Sequence, residues 1–118
     1  MPQMKIIEEK ISLMELKEMA ANLFEDMVKA VVDVEKGLLA VDAELHADLE
    51  AALLKEGSRQ EHLWGINLYP GLHGQDNFIE FDSLINIKPS RGNRSRSVED
   101  GEISSRIIRI VGERVTAQ

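Results

Sequence analysis

His46, Asp48 and Glu50 are the residues whose types and spacing come nearest to metal chemistry. An imidazole and two carboxylates suit a divalent ion. On a strand all three share a face, but His46 and Glu50 then stand roughly 13 Å apart, too far for one ion. On a helix His46 and Glu50 meet at i,i+4 while Asp48 points away. Either geometry needs further ligands from Asp33, Glu80 or Asp82. No specific metal is therefore expected, and the plainer reading is a solvated acidic face with a hydrogen-bonded histidine. These residues also carry the one enzymatic alternative the chain offers, a small hydrolase using His46 with Asp48 or Asp82. There is no Gly-x-Ser-x-Gly elbow, and Ser83 and Ser90 have no histidine near in sequence. No cofactor motif is found, and none is expected to be needed.

A stronger functional signal lies in Ser90-Arg-Gly-Asn-Arg-Ser-Arg-Ser97. Gly92 and Asn93 tolerate positive φ, so successive backbone N–H groups can form an anion nest, with Arg91, Arg94 and Arg96 adding charge-assisted bonds. A helix starting near Asp100 would add its positive end, although Glu99 and Asp100 already occupy that end and oppose a second anion. The loop lacks the Gly-Lys-Ser/Thr of a phosphate-binding Walker loop. Its plainer role is a tether, with the arginines clamped to carboxylates of the body. Asn67, Glu80, Asp82 and Asn86 form a second polar group on one strand face. Amides and carboxylates side by side can orient a ligand, or one sheet face can simply be wet.

Composition limits the classes open to these residues. The chain has 118 residues, 43% hydrophobic and 30% charged, which suits one soluble domain, and it has no cysteine, which removes thiolate chemistry. Its net charge of −7 is unevenly placed. Residues 88–97 hold Lys88, Arg91, Arg94 and Arg96 and no acid, so the rest is strongly acidic. Such a body disfavours non-specific nucleic-acid binding but leaves a basic loop free to hold a small anionic ligand. No apolar run is long enough for a membrane span, and the first residues lack a signal-peptide pattern. A cytoplasmic location is expected.

The positioning elements follow from periodicity. Lys5 to Glu8 suits a short edge strand. Ser12 with Glu15 makes a capping box and Ile11 with Leu16 a hydrophobic staple, opening a helix over 13–27. Val and Leu runs around Glu35-Lys36-Gly37 read as a hairpin with strands near 30–35 and 38–42. The stretch 44–56 fits two patterns. Leu45, Ala47, Leu49, Ala51 and Leu53 alternate as in a strand, whereas the helix-forming composition and a C-terminal Gly57 fit a helix. The preceding strand and the two-residue gap at Asp42-Ala43 tip the reading to strand. Ser58-Arg-Gln-Glu61 is a second capping-box pattern, giving one helical turn. Strands follow near 63–69 and 78–88, and pairing Tyr69 with Phe78 sets Asn67 beside Glu80 and Gly65 beside Asp82. Asp100 caps a last helix over 101–115, with Ile103, Ile107, Ile110 and Val111 as its apolar stripe and Glu102 and Arg106 paired on its wet side.

Leu63-Trp-Gly-Ile-Asn-Leu-Tyr-Pro70, Leu84-Ile-Asn-Ile-Lys-Pro-Ser90, Gly92-Asn-Arg-Ser95 and Val98-Glu-Asp100 together resemble the recurring segments of a family of small uncharacterised prokaryotic proteins, a domain of unknown function. The resemblance runs from about Ile7 to Ile110. It departs at Gly101, where relatives carry Pro, and at Asp42-Ala43, where they carry Gly-Gly-like turns. It implies one domain over 1–118 and carries no activity across.

The expected architecture is α+β, an antiparallel meander of four to five strands covered on one face by an N-terminal and a C-terminal helix. The expected function is a small cytoplasmic binding or interaction module. It forms a homodimer and works through Arg91, Asn93, Arg94 and Arg96 with Asn67 and Asn86.

Overall fold

The computed structural model describes residues 3–117; Met1, Pro2 and Gln118, assigned above to the same domain, lie outside the described residues. The strands are β1 (Lys5–Ile7), β2 (Ile11–Ser12), β3 (Val28–Asp33), β4 (Leu38–Val41), β5 (Leu63–Leu68), β6 (Ile79–Glu80) and β7 (Val115–Thr116). The helices are α1 (Leu13–Leu23), α2 (His46–Lys55) and α3 (Gly101–Arg114). β1, β4, β3, β5 and β6 form one antiparallel sheet in that order, and β2 pairs in parallel with β7. The α+β class with helices at both ends is as the sequence indicates. Among the described residues no helix is long and apolar enough to cross a membrane.

Period-two alternation sends the strands' side chains to two different cores. Val28, Ala30, Val32, Leu39, Val41, Trp64, Ile66 and Leu68 face α1 and α3, meeting Leu16, Ala20, Ile107 and Val111. Val31, Ala40 and Leu63 face the other way, onto Leu49 and Leu53 of α2. The sheet is thus covered on both faces along β3 and β4, not on one as expected, because α2 packs on the second face.

α2 is where the strand reading of 44–56 fails. His46, Leu49 and Leu53 are buried at helical spacing, while Leu45 is exposed. The helix closes with Gly57 at φ 99, the Ser58 N–H donating to the Leu53 carbonyl and the Gly57 N–H to Leu54. That left-handed closure supplies acceptors' missing donors and outweighs the alternation of Leu and Ala, which both periods accommodate. α2 therefore carries the chain across β3, so that β5 pairs on the far side of the β3–β4 hairpin.

Other boundaries shift for local reasons. Ser12 caps α1 by accepting the Glu15 N–H, but the Glu15 carboxylate pairs with Lys5 instead of returning to the cap. α1 stops at Leu23, four residues early, because Glu25 takes φ 72 and turns the chain into β3. Ser58 does not cap the Gln60–His62 turn; its hydroxyl donates to buried Asp33 at 2.6 Å. Asp33 also accepts the Glu35 and Lys36 N–H groups, so one buried carboxylate organises the hairpin turn and ties it to the end of α2. The turn ends, as expected, on Gly37 at φ 69. α3 and its Asp100 cap lie where the sequence places them, with Glu102 and Arg106 paired at 3.4 Å.

Candidate functional site

The strand expected over 78–88 pairs only through Ile79 and Glu80, with Asn67 opposite Glu80 and the Tyr69 N–H donating to the Phe78 carbonyl. Beyond that the ladder position opposite Gly65 is taken by a side chain, not by Asp82. The Asn86 amide accepts the Gly65 N–H at 2.7 Å and donates to the Gly65 carbonyl at 2.9 Å, imitating a paired strand residue. The chain reaches this position through a 3-10 turn over Leu84–Asn86, opened by Ser83. Ser83 itself packs onto Gly65 so closely that a Cβ there would lie 2.5 Å from its Cβ and Oγ.

Asn86 and Asn93, both expected to meet ligand, are buried and bonded to backbone. Asn86 Nδ2 also donates to the Arg96 carbonyl at 2.8 Å. Asn93 Nδ2 donates to the carbonyls of Asn86, Ser95 and Ser97, and its Oδ1 accepts the Glu99 N–H. Lys88 and Asn93 pair backbone to backbone around the Pro89–Arg91 turn, which Gly92 closes at φ 80. Two amides thus fix the path of residues 86–99. Lys88 is buried too. Its ammonium donates to the Ile85 carbonyl and lies 5.2 Å from the Trp64 ring centroid, a cation–π contact, and burial pushes its pKa below the usual lysine value.

Of Gly92 and Asn93 only Gly92 takes a positive φ, and the successive backbone N–H groups that follow form a nest occupied by the chain's own Glu99. Its Oε2 accepts the N–H groups of Arg94 at 3.0 Å and Ser95 at 2.8 Å. The Ser95 side chain and these backbone donors hold the Glu99 carboxyl below its ordinary pKa. All three arginine side chains are exposed. Arg96 pairs with Asp82 at 2.6 Å, and Arg91 approaches Glu61 at 3.6 Å. Arg94 has no carboxylate within ion-pair distance among the described residues. One of the three is therefore a tether and another a loose one.

Between this loop and the start of α3 lies a cavity of about 510 Å³. Ser90, Arg91, Glu99, Asp100, Ile103 and Trp64 are in its wall, with Gly92 and Asn93. Trp64 is 1% exposed, and its indole N–H has no hydrogen-bond partner among the described residues. The sequence places Trp64 on the strand over 63–69 and carries no signal for its place in this wall. A cavity of about 370 Å³ beside Lys17, Glu25, Asp26 and Tyr69 has no such unpaired buried group among the described residues of its wall.

The other expected site residues lie apart from this cavity. His46 is buried at the first turn of α2, its Nε2 2.8 Å from the Ile66 carbonyl. Burial pushes its pKa below the ordinary 6.5; the Ile66 carbonyl and the Asn67 amide oppose that shift and Lys29 adds to it. Asp48 is on the exposed side of α2 and Asp82 is paired with Arg96, so neither is hydrogen-bonded to the imidazole. Asn67 donates to Glu80 at 2.9 Å, as does the Tyr69 hydroxyl at 3.0 Å, while Asn67 Oδ1 is buried without a donor. Among the described residues no three His, Cys, Asp or Glu side chains are grouped as metal ligands.

Comparison with curated proteins and with solved structures finds no significant match in either. The segments over 63–100 that build the cavity and its supporting loop are those on which the family resemblance rests. Residues 5–114, which include all three helices and the whole five-stranded sheet, match one family throughout, and the chain belongs to it: Protein of unknown function (DUF5674).

Proposed function

We propose that this domain is a small-ligand binding module acting in the cytoplasm, with the ligand seated in the cavity between residues 88–99 and the start of α3. The observation that carries this reading is a polar cavity whose wall is fixed in advance. Asn86 and Asn93 hold the loop through seven hydrogen bonds to backbone groups. A wall ordered before binding leaves less conformational entropy to lose when a ligand enters. Arg91, in that wall and only loosely held by Glu61, is the contact for an anionic group of the ligand. Arg96 belongs to the tether. The hydrolase alternative gains no support, because the His46 ring faces a backbone carbonyl and Asp48 is on the exposed side of its helix.

A thermal-shift screen against phosphate esters, carboxylic acids and amino acids tests this. At least one class is expected to raise the melting temperature. For that ligand Arg91→Ala should weaken binding by about 1.5–3 kcal/mol, the range for a hydrogen bond to a charged group, with little change in the unliganded melt. A screen without a hit, or a hit unaffected by Arg91→Ala, would overturn the proposal.

A further inference from the structure

The cavity wall is not a simple anion receptor. Its one nearby guanidinium, Arg91, shares the wall with two carboxylates, Glu99 and Asp100. Each carboxylate has one oxygen engaged by backbone: Glu99 Oε2 by Arg94 and Ser95, Asp100 Oδ1 by Glu102 and Ile103. Glu99 Oε1 and Asp100 Oδ2 accept no backbone N–H among the described residues. A ligand that is only an anion would gain from Arg91 and be repelled by both acids. The nest that would otherwise hold it is filled by a carboxylate tethered a few residues away, whose effective concentration a free anion cannot match.

The donor side is equally specific. The Trp64 indole N–H can only donate, so what it lacks is an acceptor. Donors thus come from β5 and from the Pro89–Arg91 turn, and acceptors from the start of α3. Ile103 adds an apolar contact.

From this division we infer that the ligand is a zwitterion of the α-amino-acid class. Its carboxylate faces Arg91 and the Trp64 N–H, and its ammonium faces Glu99 and Asp100. The inference rests on the binding reading above and narrows its ligand. A cavity of about 510 Å³ leaves room beyond the ammonium and carboxylate for a side chain.

Trp64 is the chain's single tryptophan, so its fluorescence reports on this wall and on the core behind it. The protein is titrated with the twenty free L-amino acids, and with acetate, methylammonium and inorganic phosphate as separate charges. At least one amino acid should shift Trp64 emission and saturate with Kd on the order of 1 mM or tighter. Its N-acetyl and methyl-ester derivatives should each bind roughly tenfold or more weakly, the loss of one charge-assisted contact. Asp100→Asn keeps a good helix cap, so the fold should persist while the preference for the free amine over the N-acetyl form shrinks. Arg91→Met should shrink the preference for the acid over its ester. Equal binding of the N-acetyl form, or phosphate or acetate binding as tightly through Arg91, would overturn the zwitterion and leave the binding site standing. Silence from every probe, in fluorescence and in melting temperature alike, would overturn both.

Discussion

Asn86 and Asn93 show how much one amide can do when it is buried. Each supplies donors and an acceptor to backbone groups that no strand or helix satisfies, and each removal would leave several such groups unpaired. Asn93→Ala is expected to destabilise the fold by about 2–4 kcal/mol, since every buried group left unpaired costs roughly 1–3 kcal/mol; urea unfolding measures it. Both asparagines stand out in the sequence as polar residues among strand-like and loop residues. Their backbone duty was not legible, because an amide facing backbone and an amide facing ligand have the same sequence signature. Gly65 is the complementary case. Its β5 neighbours are large and buried, and the Ser83 contact leaves no room for a Cβ. Gly65→Ala should cost about 1–3 kcal/mol through overpacking, with Ser83→Gly in the same chain recovering part of the loss.

At the scale of elements, α1, the β3–β4 hairpin, β5 and α3 were legible because cap, period and turn residue agreed in each. α2 was not. Its Leu and Ala positions satisfy both periods, and the deciding signal sat at its end, in the left-handed Gly57. Gly57→Ala should therefore lower stability by about 1 kcal/mol, the order of the left-handed penalty for a residue with a Cβ. No change would mean that the closure contributes nothing. β6 was over-extended for a different reason. Ile85 and Ile87 keep strand parity on paper, yet Leu84 just before them is 67% exposed and the chain is turning. The Arg96–Asp82 tether across this region is about half exposed on both sides. Arg96→Ala should thus cost under about 1 kcal/mol and lose even that at high salt.

For the whole molecule, acid tolerance depends on where protons are taken up. Burial holds the His46 pKa below 6.5 in the fold, so the unfolded chain takes the proton first as pH falls. The stability tied to neutral His46 is fully present above 6.5 and is lost as pH falls from there through the folded value. His46→Gln, which keeps a donor for the Ile66 carbonyl, should flatten that part of the profile in urea melts between about pH 7.5 and 5.5. Glu99 acts lower. Its depressed pKa gives a contribution present above the ordinary carboxylate range and lost as pH falls through the folded value, which Glu99→Gln should remove.

The parallel pairing of β2 with β7 has a consequence for the order of folding. Thr116 donates to the Ile11 carbonyl across 105 residues of chain, and Val115 of β7 is buried in the core beneath α1 and α3. Closing so long a loop has a high entropic cost that one short ladder does not offset, so the pairing forms after the central sheet has collapsed. Val115→Ala should cost about 1–2 kcal/mol, enough for a kinetic reading. In a chevron plot the loss is expected almost wholly in the unfolding arm, with the refolding arm unmoved. The strand pair then acts as a latch that slows escape from the native state without hastening arrival there.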